Sequence, residues 1–307
     1  GEAFRSETLA VDLVHLWNIP FESLLAPAWR YARRQEIPVA ITPLLHLGEA
    51  NSDHVRRHYT MRHQLALIRD CDAVMALTDI EAAYLVQEGV NKSRIHVIGG
   101  GTDPTTIAAG KAARFRARYG LERPFILFVG ALNPEKGTLT LVQAMSTLWE
   151  KGRAVDLVMI GQPMQAFQTF LSQKRPEIRR RCHVLGAVNE ADKADALNAC
   201  HVLALPSRTE SFGLVFLEAW AAAKPVVGAR AGAIPALVEA DKDGLLVPFG
   251  DPEALAEAVT TLLDNPDLCK RLGRAGQQKV KERYTWNKVT EQVTEMYKDM
   301  GADHAVE

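Results

Sequence analysis

Ser207-Arg208-Thr209-Glu210-Ser211-Phe212-Gly213-Leu214-Val215-Phe216-Leu217-Glu218-Ala219-Trp220 is the stretch whose reading decides the fold. An apolar run at 201–205, closed by Pro206, precedes it, and a second run at 225–228 follows. The order is strand, loop, helix, strand. The helical part, 213–223, is apolar on every side except at Glu218, which is the pattern of a helix buried all round. A carboxylate there needs a partner, because burying an unpaired charge costs several kcal/mol. It meets either a cation inside the protein or a ligand in a cleft.

In a parallel α/β sheet the loops after the strand C-termini line the ligand crevice, and a helix starting there offers unpaired amides to an anion. Ser211, Phe212, Gly213 and Leu214 would supply those donors. Gly213 would let a phosphate approach without a Cβ in the way. Glu210, just before the helix, faces the same crevice. The alternative is that Glu210 merely caps the helix and Glu218 pairs with a buried Arg or Lys.

Working outward, the same alternation runs through the chain. Strands are expected at 11–17, 37–42, 73–77 and 95–98, with helices at 21–34, 54–69 and 79–88 between them. Leu24, Leu25, Ala28 and Tyr31 mark the inner face of the first helix. Thr78 and Glu81 have capping-box spacing for the third. His46 lies in a loop at a strand C-terminus, so it is a candidate ligand contact. The helix 54–69 carries Arg56, Arg57, His58, Arg62 and His63. With Arg30, Arg33 and Arg34 it could form a basic face toward acidic lipid or a phosphorylated acceptor, or a solvated one. Asp70-Cys71-Asp72 resembles a paired-aspartate metal motif, but it directly opens a strand and reads better as turn residues.

Glu122-Arg123-Pro124 reads as a linker, after which a second series begins. Strands are expected at 125–132, 155–160, 183–188, 201–205, 225–229 and 244–247, separated by helices. Two such series predict two doubly wound domains with parallel sheets, 1–122 and 123–284. A terminal helix, 285–307, presents Val289, Val293, Met296 and Tyr297 at helical spacing.

Composition excludes several classes. The chain has 307 residues, 47% of them hydrophobic, enough for two domains. Lys plus Arg is 36 against 37 Asp plus Glu, so no overall field favours nucleic acid. Cys71, Cys182, Cys200 and Cys269 are scattered without metal-ligand spacing and are expected to be reduced core residues of a cytoplasmic protein. No run approaches the roughly 18 apolar residues of a membrane span.

The chain resembles the retaining glycosyltransferases of family 4, which have the GT-B fold of two facing Rossmann-like domains. The matching stretches are Phe128-Val129-Gly130 with Glu135-Lys136-Gly137, Pro206-Ser207 through Glu218-Ala219, Lys224-Pro225-Val226-Val227, Gly232-Ala233-Ile234-Pro235 and Asp243-Gly244-Leu245-Leu246-Val247-Pro248. The resemblance implies transfer of a sugar from a nucleotide diphosphate, UDP- or GDP-linked, to a sugar, lipid-linked or small-molecule hydroxyl, with no metal and no other cofactor. It implies Glu218 on the ribose, Glu210 at the donor sugar, the backbone of Ser211 to Leu214 at the pyrophosphate and Lys136 against its charge. His46 would stand near the reacting sugar, and main-chain groups from Val184 to Val188 would hold the base. It also implies that the terminal helix returns to the first domain, and allows peripheral membrane contact through the basic helices.

Three departures stand out. Ala131 occupies a position where the family often has Arg. Gly99-Gly100-Gly101-Thr102-Asp103 replaces an Asn-Gly-Val-Asp type sequence. The first domain is expected to be incomplete at its start. A non-catalytic nucleotide-sugar-binding fragment, or a sugar-nucleotide epimerase, is the alternative reading.

Overall fold

The computed structural model describes residues 11–48 and 53–301. It divides into two compact units, residues 1–100 with 286–307 and residues 101–285.

The first unit holds a parallel sheet of β1 (Val14–Trp17), β2 (Val39–Thr42), β3 (Ala73–Ala76) and β4 (Ile95–Val97), in that spatial order. All residues of β2 and β3 are buried, as expected of parallel strands covered on both faces. Ile41, Ile68, Val74 and Leu85 are fully buried at the centre of this core. The first helix, Glu22–Arg34, turns Leu25 and Ala32 inward, whereas Leu24, expected on that face, is 71% exposed. The terminal helix Trp286–Asp299 belongs to this unit. It buries Val289 and Met296, and Tyr297 Oη lies 2.6 Å from His15 Nδ1, whose other ring nitrogen is 2.8 Å from Thr42 Oγ1. Burial pushes the His15 imidazole down to about 4, so the link is made by a neutral ring at neutral pH.

A further expectation for this unit is corrected. The single helix at 54–69 is two, Asp53–Tyr59 and Arg62–Asp70. Met61 is extended, and Gln64 closes the break, its Oε1 accepting from the Met61 amide at 2.9 Å and its Nε2 donating to His58 O at 2.9 Å. Arg56 lies over the Tyr84 ring at 4.7 Å and His63 meets Glu22 at 2.7 Å. Asp70 and Asp72 are taken by Arg33, each at 2.7 Å, and Trp29 donates to Asp70 at 2.8 Å, so they staple a helix to the start of β3.

The second unit carries six parallel strands, β5 (Phe125–Val129), β6 (Asp156–Ile160), β7 (Cys182–Gly186), β8 (Val202–Leu205), β9 (Val226–Ala229) and β10 (Gly244–Val247), in the spatial order β10-β9-β8-β5-β6-β7. The chain runs from β5 to β7 in one direction, then returns past β5 and runs the other way. Among the described residues that reversal occurs only in this unit. It opens a crevice between the C-terminal ends of β5 and β8, where open α/β sheets bind ligands.

The division between units falls at Gly100/Gly101 rather than at the expected linker, 122–124. Helices Pro104–Ala108 and Ala112–Tyr119 are bound to helix Glu190–Ala199 of the second unit. Arg114 pairs with the buried Asp195, which also accepts from the Lys111 amide at 2.6 Å. Arg118 reaches Asp192 at 2.8 Å, and Asn198 donates to Ile107 O at 2.7 Å. Residues 122–124 are thus an ordinary connection into β5.

Candidate active site

The loop after β5 is a 3-10 turn, Pro134–Lys136, begun by Asn133, whose side chain accepts from the Lys136 amide at 3.0 Å. Gly137 ends it at φ +70°, against the loop after β8: a Cβ on Gly137 would stand 2.0 Å from Pro206 O. Arg208 fixes the same apposition from the other side. Its amide donates to Glu135 O at 2.9 Å and its guanidinium grips the Glu135 carboxylate at 2.6 and 3.0 Å while lying 5.2 Å from the centre of the Phe249 ring. The loop after β9 joins in, the Ala233 amide donating to Glu210 O at 3.1 Å.

This clamp brings Lys136 and Glu210 together at the strand-order reversal. Lys136 Nζ is 2.6 Å from Glu210 Oε1, with the two side chains 19% and 13% exposed. The expectation that Glu210 might only cap the helix is not what the structure has: no side chain caps it, and its N-cap is Gly213. The helix itself is Leu214–Ala221.

Among the described residues, the amides of Ser211, Phe212, Gly213 and Leu214 donate to no protein acceptor. Phe212 is 3% exposed and stacks edge-on with Tyr284 at 5.7 Å, which anchors the segment carrying these amides. Gly213 adopts φ +93°, and a Cβ there would meet the Phe216 ring at 2.7 Å. The glycine is required by the helix start itself, a stronger reason than the open approach read from sequence. Four donors held at the positive end of a buried helix, with a lysine in the facing loop, form an arrangement able to receive an anion.

Glu218, one turn into the helix, is 18% exposed and its Oε1 accepts from Lys193 Nζ at 2.8 Å. The cation alternative for Glu218 is therefore realised, but by one oxygen; among the described residues nothing donates to Oε2. Burial pushes the Glu218 carboxyl above its usual range, and Lys193 works against that shift. Lys193 lies in the first turn of helix Glu190–Ala199, which follows β7 and the loop containing the half-buried Val188. Lys193 was not singled out from sequence, since its i,i+3 spacing from Glu190 looks like an ordinary surface pair; the two are 2.8 Å apart.

His46 belongs to the first unit. It follows β2 in the loop 43–48, with its ring 4.6 Å from that of Tyr59. Glu81, read as half of a capping box, does let its amide donate to Thr78 Oγ1 at 3.2 Å, but its carboxylate turns inward to the His46 loop. Among the described residues no cluster of His, Cys, Asp and Glu has the arrangement of a metal site, and no helix is long and apolar enough to cross a membrane.

Comparison with known proteins agrees with this architecture. The family model for glycosyl transferases group 1 matches residues 111–279, more than half of the chain and the whole of the site in the second unit. The chain belongs to the glycosyl transferases group 1. A model for glycosyltransferase family 4 matches residues 2–106 of this group 1 protein. A D-inositol 3-phosphate glycosyltransferase of Xylanimonas cellulosilytica is 34% identical over 236 residues, covering 74% of this chain and 56% of the relative. The chain spans about half the length of the first curated relatives it matches. Among solved structures, sucrose-phosphate synthase of Thermosynechococcus elongatus superposes with a TM-score of 0.80 at 23% identity, over 98% of this chain and 76% of that one. Anabaena HepE, crystallised with UDP and glucose, gives 0.82 at 21% identity over 94% and 78%. These likenesses establish the GT-B fold.

Proposed function

We propose that this group 1 chain is a retaining, metal-independent glycosyltransferase that moves a sugar from a nucleotide diphosphate to a hydroxyl acceptor. The observation that carries the reading is the half-buried Lys136–Glu210 pair, with four unpartnered amides following Glu210, at the strand-order reversal. In this arrangement Lys136 and the amides of Ser211 to Leu214 receive the diphosphate, whose negative charge grows as its bond to the sugar breaks. Glu218 accepts from the vicinal ribose hydroxyls through Oε2, a carboxylate being an acceptor-only group suited to two donors. Main-chain groups near Val188 receive the base.

The bond between the anomeric carbon and the diphosphate oxygen breaks with its electrons going to the oxygen. The acceptor hydroxyl attacks from the same face, and its proton passes to that departing oxygen. Glu210 orients the sugar and stabilises the positive charge on it, and the family resemblance gives His46 its role near the reacting sugar. The HepE complex with UDP favours a UDP-linked donor, with a GDP-linked donor as the second candidate.

Proton NMR of the product formed from a UDP-sugar, with and without EDTA, tests the reading. It predicts an axial donor giving an axial product at a rate that EDTA leaves unchanged. An inverted product, or loss of turnover restored by divalent metal, would contradict it. Nucleotide binding with no transfer to any acceptor is the result the fragment alternative predicts, for which Ala131, exposed at the mouth of the β5 loop, is the one specific observation.

A further inference from the structure

We propose that Glu81 is a positioning residue that fixes the backbone of the His46 loop through the amide of Leu45; this rests on the role assigned to His46 above. Glu81 is 2% exposed, and among the described residues no charged neighbour acts on its carboxyl. Its two oxygens accept from two backbone amides instead: Oε1 from Leu45 at 2.9 Å and Oε2 from Leu77 at 2.7 Å. Leu77 follows β3, and Leu45 directly precedes His46. One buried carboxylate thus ties the end of β3 to the loop leaving β2.

The tie holds a conformation the loop would not keep unaided. Leu44 has φ +57°, a left-handed backbone that costs a residue with a Cβ about 1–3 kcal/mol and persists only where surroundings enforce it. Leu45, with its side chain 2% exposed, is locked on one side by packing and on the other by the Glu81 bond. His46 then leaves the strap in a set direction, against Tyr59. Burial raises the Glu81 carboxyl to about 7, and the Leu45 and Leu77 amides oppose that rise. A residue needed only to cap helix Asp79–Gln87 would keep its carboxylate in water at far less cost.

Glu81→Gln separates the roles. The amide keeps one acceptor and turns the other into an N–H that faces an N–H. At about pH 8, where the wild-type carboxyl is ionised, the variant is expected to lose about 10- to 100-fold in kcat, with donor KM and UDP affinity unchanged. In a His46→Ala background the same replacement is expected to have no further effect, because a positioning residue acts through the group it positions. Amide hydrogen exchange over 43–48 should speed up while β2 and β3 stay protected, which reads the strap directly. Unchanged kcat, effects that multiply in the double variant, or unchanged exchange at Leu45 would each overturn the proposal. Full turnover by His46→Ala alone would overturn the His46 role instead, and leave the exchange result to decide the strap.

Discussion

Replacing Glu210 by alanine is expected to lower sugar transfer by about 100- to 1000-fold while leaving UDP binding unchanged or tighter. The two halves of this result have one cause. Without ligand, Lys136 is held 2.6 Å from Glu210, in a setting where both side chains are largely shielded from water. A diphosphate arriving at the amides of Ser211 to Leu214 competes with Glu210 for that lysine. Removing the carboxylate ends the competition, so the leaving group's binding does not suffer. What is lost is the negative charge beside the sugar as it becomes cationic, and in a low-dielectric site such a preorganised charge is worth several kcal/mol. Lys136→Ala should show the opposite pattern, with UDP binding weakened first. Steady-state kinetics with parallel nucleotide titrations check the pair. Full activity in Glu210→Ala would remove Glu210 from the chemistry.

Gly137→Ala is expected to cost about 3 kcal/mol or more, from the left-handed backbone and the overlap together. The positive φ of +70° penalises any Cβ, and this one would sit 2.0 Å from Pro206 O, so the loops after β5 and β8 must separate. At about 2–4 °C per kcal/mol for a unit of this size, thermal unfolding of the second unit should fall by about 10 °C. Because the same apposition carries Lys136 toward Glu210, UDP affinity should fall in the variant even well below its melting temperature. Calorimetric melting with and without UDP distinguishes this from simple destabilisation. A variant that melts as the wild type does would show that the loops have room the geometry denies them.

Much of this architecture was legible because parallel strands buried on both faces write themselves as short apolar runs. Runs such as 226–229 and 244–247, bounded by Pro, Gly and charged residues, gave their places directly. The Glu210 to Glu218 block was legible as well, since a lone carboxylate in an apolar helix demands a partner. What escaped reading depends on contacts distant in sequence. Nothing at Thr60-Met61 is a helix breaker; the break exists because Gln64 satisfies both sides of it. Residues 122–124 have linker composition, but the units divide earlier because Arg114 and Arg118 reach Asp195 and Asp192 far along the chain. Lys193 matters only through its contact with Glu218, and Glu81 only through its reach to Leu45, neither visible as a local pattern.

The donor site in the second unit is the central claim, and calorimetric titration of UDP, GDP and ADP into this chain and into Glu218→Ala, without metal, tests it most directly. The account predicts that UDP or GDP binds and that the substitution weakens it by about 1–3 kcal/mol, roughly ten- to a hundredfold, as loss of hydrogen bonds to a charged acceptor does. A folded chain that binds none of the three, or binds one equally well without Glu218, would contradict it.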